Sequence, residues 1–178
     1  MNVYHKAYIF DLKSFSQELA PLITAALRTG ELKELRAFIR LNVGSLVDPY
    51  EGERLDDQWE QLLEYEDAHQ LGDFALTKYY SPLEERGAGE VWGKYFYDYD
   101  GYAEGLPFLG RVLGAATEPF DPGKMGSYFQ GPSDVSVSLG LLRASDVEMS
   151  TEDENVLEVY YELLQEALEK SLGIYVTF

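Results

Sequence analysis

The sequence predicts an α+β fold: a single domain with an early helical group, a mostly antiparallel or mixed sheet, and a long amphipathic C-terminal helix. Apolar residues recur at three- and four-residue spacing through residues 14–72, while strand-like runs open the chain, fill its middle and close it. The two kinds of segment are grouped instead of alternating regularly, which argues against a parallel α/β sheet. At 178 residues, with 46% apolar and 26% charged side chains and no repeat or low-complexity tract, the chain reads as one globular domain over 1–178.

Residues 3–10, VYHKAYIF, mix aromatic and β-branched side chains and read as a strand ending at Asp11. Ser14 and Gln17 have capping-box spacing. Phe15, Leu19, Leu22, Ile23, Ala26 and Leu27 then form a helical stripe that stops at Gly30, and Pro21 either kinks this helix or marks its true start. A second helix over about 31–47 carries Leu35, Phe38, Ile39 and Val43 on one side and Lys33, Arg36 and Arg40 on another, until Asp48-Pro49 breaks it. Asp56 and Asp57 open a third helix, with Leu55, Trp59, Leu62 and Leu63, running to about Gly72.

FALTKYY at 74–80 and VWGKYFYDYD at 91–100 read as strands, and residues 106–113 as a short helix with Pro107 near its start. Residues 114–134, rich in glycine and proline, form a long connection. Val135, Val137, Leu139 and Leu141 alternate with Ser136, Ser138 and Gly140 as a half-exposed strand. Thr151 with Glu154 is a capping box that opens a helix to Leu172, stopped by Gly173 before a last strand, IYVTF.

Fourteen basic residues against 32 acidic ones give a net charge of −18. Such a chain is not expected to bind nucleic acid or an anionic membrane surface, since both depend on lysine and arginine displacing counterions. The acidity sits in two blocks, Glu51–Asp67 and Asp146–Glu169, whereas residues 1–50 are balanced, with six basic and five acidic side chains. The opening MNVYHKAYIF is too short an apolar run for a signal peptide, and no stretch approaches the roughly 18 apolar residues of a membrane span, so the expected location is the cytoplasm. The absence of cysteine removes disulfides and thiolate chemistry.

Motifs for chemistry are weak. Glu66-Asp67-Ala68-His69 has the Glu-x-x-His spacing of di-iron bundles, but that design needs a second such motif, and His5, the other histidine, has no matching glutamate. Asp98-Tyr99-Asp100-Gly101 lacks the later oxygen donors of a calcium loop. Gly87-Ala88-Gly89 and Gly123-Lys124 lack the flanking pattern of nucleotide-binding loops, and Gly126-Ser127 is no nucleophile elbow. The expectation is therefore no catalytic residue, no metal and no cofactor.

The most distinctive feature is ENVLEVYYELLQEALEK, residues 154–170, which sets Glu154, Glu158, Glu162 and Glu166 four apart along one helical arc. Each like-charge pair costs about 0.2–0.5 kcal/mol, so helix stability does not explain the row. Solvation of an outer face, pairing with Lys33, Arg36 and Arg40, or attraction of a basic partner would each account for it. The third reading gives a non-enzymatic acidic binding or inhibitory protein for a basic macromolecule, analogous in charge and size to an immunity protein. Its contact residues would be Glu154, Glu158, Glu162 and Glu166, with Asp56, Asp57, Glu60 and Glu64 as a second patch. The alternative is a small-ligand binder or enzyme whose carboxylate and tyrosine pocket lies under the 114–134 loop, near Tyr97, Asp98 and Tyr99.

Overall fold

A computed structural model describes residues 5–86, 88–89, 128–144 and 151–177. The strand read at 91–100, the helix at 106–113 and the pocket expected near Tyr97–Tyr99 lie outside them. Helices and an antiparallel sheet occur together, so the protein is α+β. The described chain divides into two units, one built on the sheet and one, Lys13–Glu84, on helices.

In the sheet unit, β1 (His5–Phe10), β2 (Ala88–Gly89), β3 (Tyr128–Gln130) and β4 (Gly173–Thr177) lie in the order β2-β1-β4-β3, each antiparallel to its neighbours. The longest pairing runs from Lys6 opposite Thr177 to Phe10 opposite Gly173. With side chains alternating across the pleat, Ala7, Ile9, Ile174 and Val176 share one face, packed with Val135, Leu139, Tyr160, Leu163, Leu164 and Ala167 of the two helices described next. The opposite face is aromatic. Phe129 and Tyr175 stack at 4.8 Å, and Phe10 lies 4.8 Å from Phe129.

Two helices supply those residues: α5 (Pro132–Ala144) and α6 (Thr151–Glu169). The strand expected over 135–141 is therefore helix. Proline sits at the first helical position, and the Asp134 carboxylate reaches back 3.3 Å to accept from the Gly131 N–H, half of a capping box. Val135 and Leu139, four apart, are both buried, which is the helical period inside an apparent alternation.

The stop of α6 is also earlier than the glycine suggests. Leu172 N–H donates to Ala167 O (2.8 Å) and Ser171 N–H to Leu168 O (3.0 Å), a Schellman closure with Ser171 in the left-handed region at φ 54°. Gly173 serves the sheet instead. A Cβ there would land on the Gln130 carbonyl, so glycine lets β3 and β4 approach.

In the helical unit, α1 (Leu12–Glu18) precedes α2 (Ala20–Thr29), with Pro21 in the first turn of α2; the proline marks a start, not a kink. Gly30 ends α2 at φ 73° and donates to Ala26 O at 2.8 Å. α3 spans Lys33–Asn42, and a short 3₁₀ turn over Val43–Ser45 takes up what reads in the sequence as its last helical turn.

The predicted third helix over 56–72 is replaced by a 3₁₀ turn at Trp59–Leu62 and a separate α4 (Ala68–Leu76). Asp67 caps α4 by accepting from the Gln70 N–H at 2.8 Å. FALTKYY is thus not a strand but the end of α4 and the turn after it. Gly72, read as a terminator, is buried inside α4, where a Cβ would touch Ile23 Cδ1 of α2 at 3.4 Å. Leu19, Ile23, Leu35, Ile39, Leu71, Trp59 and Phe74 form the buried interior of this unit, each such side chain contributing about 1.5–3 kcal/mol of transfer free energy.

Candidate functional site

α6 buries Tyr160, Leu163, Leu164 and Ala167 and turns Glu158 and Glu162 to solvent. Neither Glu158 nor Glu162 forms an ion pair among the described residues. Glu154 belongs to the same helix, but its side chain is not among the described ones.

Glu166 is different. Its Oε1 accepts from Arg86 Nη2 at 2.7 Å and from Lys170 Nζ at 2.6 Å, and Arg86 is itself fixed by its backbone N–H to Ala7 O of β1 at 2.8 Å. The last member of the row is therefore neutralised within the fold, by a strand-anchored arginine and by a lysine one turn on. Tyr161, on the flank, accepts from Arg143 Nε at 3.1 Å and from Gln165 Nε2 at 3.2 Å.

The basic stripe on α3 pairs elsewhere. Arg36 sits 3.4 Å from Glu60 and 3.3 Å from Glu66, and Arg40 reaches the same Glu60 oxygen at 2.5 Å. Glu60, expected in the second contact patch, is thus tied to two arginines. Asp56 and Asp57 are exposed and outside any described ion pair; the Asp56 carboxylate accepts from the Gln58 N–H at 2.7 Å, an Asx turn that starts the Trp59 turn. Of the patch Asp56, Asp57, Glu60 and Glu64, all but Glu60 lack a cationic partner among the described residues.

Glu64 borders a cleft of about 370 Å³ that the sequence does not advertise. Its walls include Tyr50, Leu62 and Tyr65, three of the large apolar side chains most exposed to solvent, and its acidic groups are Glu64, Asp67 and Asp73. Local backbone chemistry assembles it. The Asp48 carboxylate accepts from the N–H groups of Tyr50 (2.7 Å) and Glu51 (2.9 Å), turning Tyr50 outward after Pro49.

At the other side, Asp67 caps α4 and Gln70 Oε1 accepts from the Tyr65 N–H at 2.6 Å, which sets the direction of Tyr65. The Tyr50 hydroxyl donates to Asp73 Oδ2 at 3.3 Å. Burial first, and then the charge of Asp73 and its hydrogen bond, push the Tyr50 phenol up to about 12, so it remains a neutral donor at neutral pH.

The Asp48-Pro49 pair is one sequence signal for this site, and as a helix breaker it hides its second role as an Asx turn. Glu66 of the Glu-x-x-His motif faces Arg36, and no group of three histidine or acidic side chains placed to hold a metal occurs among the described residues. Among them, too, no helix is long and apolar enough to cross a membrane. Comparison with known proteins finds no matching family model, curated sequence or solved structure.

Proposed function

We propose that the protein is a non-enzymatic acidic binding or inhibitory protein for a basic macromolecular partner, acting as a single folding domain with the outer face of its long amphipathic helix α6 as a contact surface. The observation that supports this reading is the outward position of Glu158 and Glu162 without a compensating cation among the described residues, while arginines and a lysine are spent on Glu60, Glu66 and Glu166. An unneutralised acidic face accelerates encounter with a basic surface and rejects anionic ones. Val159 and Leu168, both more than a third exposed, give the same helix apolar contacts that a purely solvated face would lack.

The test is capture from native lysate at low and at high salt, with the wild type beside the Glu158→Gln/Glu162→Gln variant. A basic protein retained by the wild type, released by salt and lost by the variant is the expected result. Retention unchanged by either would remove the reading.

A further inference from the structure

We propose that Arg143, held over Tyr161 at the flank of α6, is the seat of a carboxylate side chain of the protein partner, and so selects a basic surface that carries an acidic residue among its lysines and arginines. The inference rests on the α6 reading above and adds the partner's contact chemistry to it.

Arg143 lies in the last turn of α5, where the negative end of the helix dipole favours a cation. Its partner Tyr161 belongs to α6, three residues after Glu158 and one before Glu162. In a chain with 32 acidic residues, an exposed arginine is expected to settle on a carboxylate. Arg143 does not. Its Nε donates to the Tyr161 hydroxyl at 3.1 Å, its guanidinium carbon lies 5.6 Å from the centre of the Tyr161 ring, and it enters no ion pair among the described residues. A cation over an exposed ring is worth about 0.5–1 kcal/mol, as much as an exposed ion pair, so the ring holds the guanidinium without consuming its charge.

The remaining donors select the occupant. With Nε taken, Nη1 and Nη2 are left as the planar fork that a carboxylate meets with both oxygens. The Tyr161 oxygen also accepts from Gln165 Nε2 at 3.2 Å, so both its lone pairs are filled and its own O–H is left to donate. Side by side, these donors ask for a group that only accepts. The Tyr161 ring packs against the buried cluster that contains Leu164 and Ala167, which fixes the platform before anything binds and lowers the ordering cost of docking.

The surrounding charge decides how the carboxylate arrives. Glu158, Glu162 and the net charge of −18 repel a free small anion. A segment whose lysines or arginines pair with those glutamates brings its acidic residue in with them. A uniformly basic segment would instead set a cation against Arg143, so the arginine rejects such partners as well as accepting mixed ones.

The test is a titration of the full chain at low salt with acetyl-Lys-Lys-Gly-Glu-Gly-Lys-Lys-amide, its glutamine counterpart and sodium acetate, read by NMR at the Arg143 Nε–H and the Tyr161 ring. The glutamate peptide should shift both resonances and bind about three-fold or more tightly than the glutamine form, although it carries one positive charge less in net. Arg143→Gln should reverse that order, since charge alone then decides, and Tyr161→Phe, which removes the acceptor that positions Nε, should shrink the preference. Arg143 is exposed, so unchanged circular dichroism is the expected accompaniment; a merely structural role would weaken both peptides alike in the variant and would overturn the inference.

Equal or tighter binding of the glutamine peptide by the wild type would overturn it while leaving the α6 reading in place. Acetate saturating the same resonances as tightly as the glutamate peptide would overturn the protein partner in favour of a free small carboxylate. Absence of saturation by either peptide would overturn it too, with the α6 reading still judged by the lysate capture.

Discussion

Tyr8 and Tyr50 carry the clearest electrostatic signature of single residues in the described chain. Burial, followed by the nearby charge of Glu85, pushes the Tyr8 phenol up to about 12; burial and Asp73 do the same for Tyr50. A phenol whose folded value is raised releases its proton later than in the unfolded chain, where the ordinary value is 10.0. The stability it contributes is therefore whole below about pH 10 and is lost as pH climbs through about 12. Urea unfolding followed at about pH 9 and about pH 11 should show a lower midpoint at the higher value. Tyr50→Phe should shrink that drop, since phenylalanine has no proton to lose, and should leave part of it to Tyr8. A midpoint that does not move between the two pH values would contradict the raised phenols. Tyr50 is the more exposed of the two, so its share of the slope is expected to be the smaller.

Within α6 the glutamates divide by partner. Glu158→Gln and Glu162→Gln remove a like-charge pair four apart and should leave the melting temperature unchanged or slightly higher, whereas Glu166→Gln breaks the contacts to Arg86 and Lys170 and should cost about 0.5–1 kcal/mol by urea denaturation. Equal effects at all three positions would mean that Glu166 is no more tied down than its neighbours. The helical arc places Glu158 and Glu162 on the outer face without coordinates, but the sequence carries no sign of Arg86, eighty residues away. The same limit governs the elements. β1, the start and stop of α2 and the final strand follow from aromatic and β-branched content, Pro21 and Gly30, all local signals. The run at 135–141 misleads because serine and glycine between aliphatic residues imitate a pleat, while the deciding signals, Pro132 at the first helical position and Asp134 capping backward, sit ahead of it. Gly72 misleads in the other direction, being a contact point with Ile23 and not a terminator. The cleft escaped the sequence for a similar reason: Tyr50, Tyr65 and Asp73 follow no period, and only the Asp48 turn and the Asp67 cap bring them together.

At the scale of the whole chain, Lys13–Glu84 is inserted between β1 and β2 of the sheet unit, and over the entire length 32 acidic residues face 14 basic ones. Two electrostatic effects then respond to salt in opposite directions. Screening weakens the attractive pairs, such as Glu60 with Arg36 and Arg40, each worth about 0–1 kcal/mol at the surface. It also weakens the mutual repulsion of an uncompensated charge of −18, which acts among many groups at longer range. The Debye length falls from about 30 Å at 0.01 M to about 8 Å at 0.15 M, so the many distant repulsions are removed while close pairs, some partly shielded from solvent, persist. Repulsion is the larger loser, and the melting temperature should rise with added sodium chloride. Relief of about 1 kcal/mol corresponds to about 2–4 °C for a chain of this size. Sodium chloride is the appropriate salt, because sulfate would raise the melting temperature by exclusion from the surface whatever the charge. A melting temperature that falls between those two chloride concentrations would show that the ion pairs on α3 and α6 outweigh the net charge, and with it that the acidic surface is compensated more completely than Glu158, Glu162, Asp56 and Asp57 indicate.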